Sequence, residues 1–123
     1  METNIIREKS KAFALRIINL YKYLRKDRQE YVMSKQLLRS GTSIGANVRE
    51  SKFGQSKPDF YSKLYIALKE SEESAYWLEL LHESEYLSDV QFQSIYADCC
   101  ECIALLVAIT KNQKLFSDSK KLC

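Results

Sequence analysis

An all-α protein, an antiparallel up-down-up-down four-helix bundle, is the fold this chain predicts. Three observations predict it. Only three Gly and one Pro occur in 123 residues, too few for the many turns of a sandwich or barrel. Apolar residues recur three and four apart along four long stretches, where a strand would alternate. Short polar breaks with helix-start chemistry separate these stretches, and short connections make sequential helices antiparallel neighbours. The length suits a single domain, 1–123, with the last ~7 residues expected to fray.

The first helix is expected from about Asn4 to Lys26, with Ile6, Phe13, Ile17, Leu20 and Leu24 as its core stripe. The second is expected from about Arg28 to Phe53. Asp27, with Glu30 three residues on, resembles a capping box, and Gly54 suits the position past the end. The third, about Lys57 to Ser84, opens with Ser56 as cap, Pro58 in the first turn and Asp59 near the positive end. Its core face is Phe60, Leu64, Ala67, Leu68, Ser71, Ala75, Leu78 and Leu81. Ser88 and Gln91 form a second capping box, with Leu87 placed to staple onto Phe92. The fourth helix then runs to about Lys114, with Phe92, Ile95, Cys99, Cys102, Ile103, Leu106 and Ile109 inward.

The stretch from Arg39 to Ser51 looks like a glycine-rich nucleotide loop and is not one. A phosphate loop needs Lys and then Ser or Thr after its last Gly, and here Gly45 is followed by Ala46 and Asn47. A dinucleotide fingerprint needs a third Gly and a preceding strand. Leu37, Leu38, Gly41, Ile44, Gly45 and Val48 instead share one helical face. Gly41 and Gly45 each cost about 1 kcal/mol of helix propensity, so close packing of another helix must offset them. Beside them Arg39, Ser43, Asn47 and Glu50 form a polar row, read as a structural network that also takes in Glu70 and Glu73 of the third helix.

Cys99, Cys100 and Cys102 crowd one helical turn, and the one His is His82. A second ligand pair for a metal is missing, so buried free thiols are expected and neither metal nor cofactor is called for. No apolar run approaches the ~18 residues of a membrane span. The N-terminus leads into a charged amphipathic segment where a signal sequence would be apolar. A cytoplasmic location is the expectation.

Charge is segregated. Residues 1–63 hold 14 Lys and Arg against 6 Asp and Glu, a balance of +8, and residues 64–110 hold one Lys against 9 acids, a balance of −8. From 111 on the balance is +3, with 4 Lys and one Asp. Arg7, Lys11, Lys22, Arg25, Lys26, Arg28 and Lys35 are the candidate phosphate contacts, and Arg39, Arg49 and Lys52 continue the basic surface on the second helix. A solvated face, or attraction between positive and negative halves of neighbouring subunits, is the alternative. The third helix has apolar residues on more than one face. Tyr61, Tyr65 and Tyr76 form one extra stripe, and Ile66, Trp77 and Leu80 another. Of these, Tyr61, Tyr65, Tyr76 and Trp77 are candidates for an oligomer interface.

Arg39-Ser40-Gly41-Thr42-Ser43-Ile44-Gly45-Ala46-Asn47, Asp59-Phe60, Lys69-Glu70-Ser71, Glu73 and Tyr76-Trp77-Leu78-Glu79-Leu80-Leu81 carry a resemblance. They resemble the bacterial four-helix-bundle family encoded by intervening sequences within 23S ribosomal RNA genes, often labelled S23 ribosomal protein. The likeness covers nearly the whole chain. Arg49 departs from it, standing where many members have a small residue. The resemblance implies a ring, usually a pentamer. The chain is also similar to the accessory variability protein of diversity-generating retroelements, a basic pentamer that associates with nucleic acid and a reverse transcriptase. It implies no catalytic residues. The expectation is therefore a non-enzymatic oligomeric scaffold that binds structured RNA or DNA. The alternative is a protein-interaction adaptor using its aromatic faces. An enzyme built on Glu70, Glu73 and Trp77 ranks third, because no nucleophile and base are paired in the sequence.

Overall fold

The structure, a computed structural model, describes residues 2–111; the expected fraying of the C-terminal residues lies outside them. Four helices follow in order: α1 (Glu2–Lys26), α2 (Met33–Ser51), α3 (Lys57–Glu83) and α4 (Asp89–Thr110). Helices next to one another in sequence pack together, and α4 closes back on α1. The contacts run in opposite senses along each pair. Ile17 and Ser10 of α1 meet Gly41 and Gly45 of α2 in that order. Arg39 and Glu50 of α2 reach Glu73 and Lys63 of α3. Tyr65 and Glu79 of α3 reach Thr110 and Tyr96 of α4. Neighbouring helices are therefore antiparallel.

The core contains most of the predicted stripe residues. Ile6, Phe13, Ile17 and Leu24 meet Leu37, Ile44 and Val48, then Leu64, Leu68, Leu78 and Leu81, then Ile95, Ile103 and Leu106. Leu20, Phe60 and Phe92, also assigned inward, are partly buried and pack against this core from its edge. Cys99 and Cys102 are buried free thiols, the latter pushed up to about 12 by burial. Cys100 is half-buried and disulfide-bonded, so the free-thiol expectation holds for two of the three.

The start of α2 departs from the sequence reading. The helix begins at Met33, five residues later than expected, and Asp27 does not cap it. Gln29 has a positive φ of 55°, which breaks the helical path after α1. Glu30 then caps from outside the helix. Its carboxylate accepts the backbone N–H groups of Val32, Met33 and Ser34 at 3.1, 2.9 and 2.7 Å, while the Ser34 hydroxyl donates to the Glu30 carbonyl. Glu30 is thus the acceptor of the box, and the first turn of α2 supplies the donors.

The other caps follow expectation. Ser56 accepts the Asp59 N–H at the start of α3. Ser88 and Gln91 make the reciprocal capping box of α4. Gly54 has no positive φ. A side chain there would lie 2.8 Å from the Phe60 amide nitrogen, so the residue serves a close approach of the connection to α3.

By length and composition α4 is apolar enough to cross a membrane, with a window of mean hydropathy 1.6, contrary to the sequence reading. In this fold it is a core helix. The carboxylates that interrupt its apolar run pair with α1: Asp98 with Arg16 at 2.7 Å and Glu101 with Lys9 at 3.3 Å.

Candidate nucleic-acid interface

One flank of α1 carries Arg7, Lys11, Ala14, Ile18, Lys22 and Arg25, each three or four residues from the next. The facing flank of α2 carries Lys35, Leu38, Thr42, Ala46 and Arg49 at the same spacing. Neither row contains an acid. Because the helices are antiparallel, Arg49 comes level with Arg7 and Lys11. Together with Ala14, Thr42, Gly45 and Ala46 these residues line an open groove of about 330 Å³. The small side chains leave room there, and the cations stand at its rim. At the other end of α1, Tyr21, Lys22, Arg25, Lys26 and Tyr31 line a second, shallower cleft of about 490 Å³.

Four of the cations elsewhere are ion-paired. Lys9 and Arg16 are held by α4, Arg39 by Glu70 and Glu73 at 3.2 and 2.6 Å, and Lys63 by Glu50 at 2.9 Å. Among the described residues, Arg7, Lys11, Lys22, Arg25, Lys26, Lys35 and Arg49 have no carboxylate at ion-pair distance. A phosphate would meet no competing anion on this face.

Arg28 does not belong with them. Its guanidinium donates to the carbonyls of Tyr86 at 2.7 Å and Glu85 at 3.0 Å and lies over the Tyr86 ring. It ties the α1–α2 connection to the α3–α4 connection, and its donors are committed there. The sequence showed its charge but not this partner, 57 residues away.

The polar row on α2 also separates. Arg39 reaches Glu70 and Glu73, and Glu73 further accepts the Trp77 indole N–H at 3.1 Å. The hydrogen bonds from Arg39 and Trp77 hold the Glu73 carboxyl below its usual range. Ser43 and Asn47 instead donate to carbonyls of their own helix, those of Arg39 and Ser43. Glu50 leaves the row for Lys63. The inter-helix polar contact that sequence reasoning missed is buried: the Ser74 hydroxyl lies 2.8 Å from that of Ser40.

The four aromatics assigned to an oligomer interface all make contacts within their own chain. Tyr65 donates to the Thr110 carbonyl at 3.0 Å, Tyr61 packs edge-on against Phe60, and Trp77 is half-buried beside Glu73. Tyr76 packs edge-on against Trp77 yet is 54% exposed, and Ile66, elsewhere on α3, is 36% exposed. The imagined acid pair, Glu70 and Glu73, is neutralised by Arg39. His82 bonds Asp89 at 2.7 Å while its ring stacks on Phe92. Ser88, close in sequence, uses its hydroxyl to accept the Gln91 N–H. No cluster of three or more metal-ligating side chains occurs among the described residues.

The model of the 23S rRNA-intervening sequence proteins matches residues 2–108. The chain belongs to that family. It is similar to a crystal structure from Bacteroides thetaiotaomicron, described as a protein of unknown function from the S23 ribosomal protein family. The two share 54% sequence identity with a TM-score of 0.89, over 90% of this chain and 99% of that one. No curated protein matches the chain. That structural match gives the four-helix fold independent support. It adds no functional residues to those described above.

Proposed function

We propose that the chain is a non-enzymatic oligomeric scaffold whose α1/α2 face binds structured RNA or DNA through phosphate contacts. One observation carries this reading. Among the described residues the cations of that face have no carboxylate partners, whereas Lys9, Arg16, Arg39 and Lys63, which point to other flanks, are each held by one. Phosphate contacts fix position without reading sequence, so affinity should fall steeply with salt and sequence preference should be weak. Self-association into a ring would repeat the face around an axis and multiply weak contacts.

The test is fluorescence anisotropy of nuclease-treated protein with a labelled RNA hairpin and a DNA duplex, at low and near-physiological salt. Saturable binding is expected, weakened by Lys11→Glu with Arg49→Glu. The salt slope should shrink by roughly 0.7–0.9 per lost phosphate contact. Arg28→Ala should lower stability and leave binding nearly unchanged. Absence of binding at low salt would overturn the proposal. The exposed Tyr76 and Ile66 support the second reading, an adaptor for a protein partner. Retention of one protein in a pull-down after nuclease treatment would then favour it.

A further inference from the structure

The cleft at the end of α1 holds more than charge. The Arg25 guanidinium carbon lies 5.4 Å from the Tyr21 ring centroid and 5.0 Å from that of Tyr31. Cations in the last turn of a helix offset its dipole, which accounts for Arg25 and Lys26. It does not account for the two rings. Tyr31 lies in the connection after α1 and is half-exposed.

That exposure comes with a fixed backbone. Glu30, just before Tyr31, is buried and accepts N–H groups from Val32, Met33 and Ser34, just after it. The chain is therefore pinned on both sides of the ring. An aromatic surface held this way loses little freedom when something stacks on it. Lys22, Arg25 and Lys26 surround it, with no carboxylate at ion-pair distance among the described residues. A flat ring beside unpaired cations suits a nucleobase together with its neighbouring phosphates. A duplex buries the faces of its bases, so only an unpaired nucleotide could use the ring.

We propose that Tyr21, Arg25 and Tyr31 form a stacking subsite for an unpaired nucleobase, with Lys22 and Lys26 on the flanking phosphates. This rests on the nucleic-acid reading of the α1/α2 face and deepens it. The preferred partner becomes a structured nucleic acid with single-stranded nucleotides.

The experiment compares three probes of equal length by anisotropy: a single-stranded oligonucleotide, the same strand with abasic sites, and the duplex. The abasic strand keeps every phosphate and loses the bases. Wild-type protein should bind the intact strand about tenfold more tightly than the abasic one. Tyr31→Leu, checked for an unchanged melting temperature, should remove that difference and leave duplex binding and the salt slope as they were. Equal affinity of wild type for the intact and abasic strands would overturn the subsite while duplex binding left the phosphate reading standing. So would a Tyr31→Leu loss shared equally by all three probes. Absence of binding to any probe at low salt would overturn both readings.

Discussion

Gly41 of α2 lies so close to Ile17 of α1 that a Cβ at Gly41 would stand 2.9 Å from Ile17 Cγ1 and 3.0 Å from Cγ2. Ile17 is fully buried and both methyl-bearing branches are near, so no single rotation relieves the contact. Gly41→Ala should gain about 1 kcal/mol of helix propensity and lose more to overpacking, which costs about 1–3 kcal/mol. A net loss in urea denaturation is expected. Combined with Ile17→Ala, it should cost less than the two single changes added together. Gly45→Ala should be milder, because its nearest neighbour is the Ser10 hydroxyl at 3.3 Å. A stabilised Gly41→Ala variant would refute the close-packing account.

Glu30 should make the start of α2 sensitive to pH. Burial alone would raise its carboxyl, but the N–H groups of Met33, Ser34 and Val32 outweigh burial and hold it below the ordinary value of 4.5. With the folded-state pKa below the unfolded one, ionised Glu30 adds stability above the ordinary carboxylate range. That contribution is lost as pH falls through the depressed folded value. Glu30→Gln should cost about 1–3 kcal/mol at neutral pH, the scale of a charge-assisted hydrogen bond. The difference from wild type should shrink in acid. Urea midpoints at neutral pH and well below 4.5 test this, and a difference that stays constant with pH would contradict it.

Glu72 should behave in the opposite sense. Burial, with the nearby negative charge of Glu79, raises its carboxyl above the usual value. Its Oε2 is buried without a hydrogen-bond partner. The ionised form is therefore disfavoured in the fold, so its contribution is better at low pH and worsens as pH rises through the raised value. Glu72→Gln should stabilise the protein at neutral pH, by less than about 1 kcal/mol after solvent screening. The gain should disappear in acid. Thermal melts of both forms across that pH range decide it, and a destabilised neutral-pH variant would show that the carboxylate has a favourable partner.

Much of the fold was legible along the chain because helical periodicity is a local signal. The stripes through Ile17, Ile44, Leu78 and Leu106 mark buried faces, and Ser56 and Ser88 mark helix starts, since a cap and its donors lie within three residues. Asp27 misled because the same local pattern can be satisfied elsewhere. Gln29 takes a left-handed conformation and passes the capping role to Glu30, an outcome set by where α1 must end against the core. The charge split and the need for a close partner at Gly41 and Gly45 were likewise readable from composition and spacing.

The partners were decided only in three dimensions. Lys11 and Lys9 are near neighbours on one helix, yet Lys9 is drawn to Glu101 while Lys11 faces α2. Arg25 and Arg28 are one turn apart, yet Arg25 lies between Tyr21 and Tyr31 and Arg28 closes on Tyr86. The sequence by itself determined four amphipathic helices, their sequential packing and a basic half. The tertiary structure decided which cations remain available. A helix repeat sets the direction a side chain takes from its own axis, but the neighbouring axis determines whether a carboxylate, a ring or open solvent lies there.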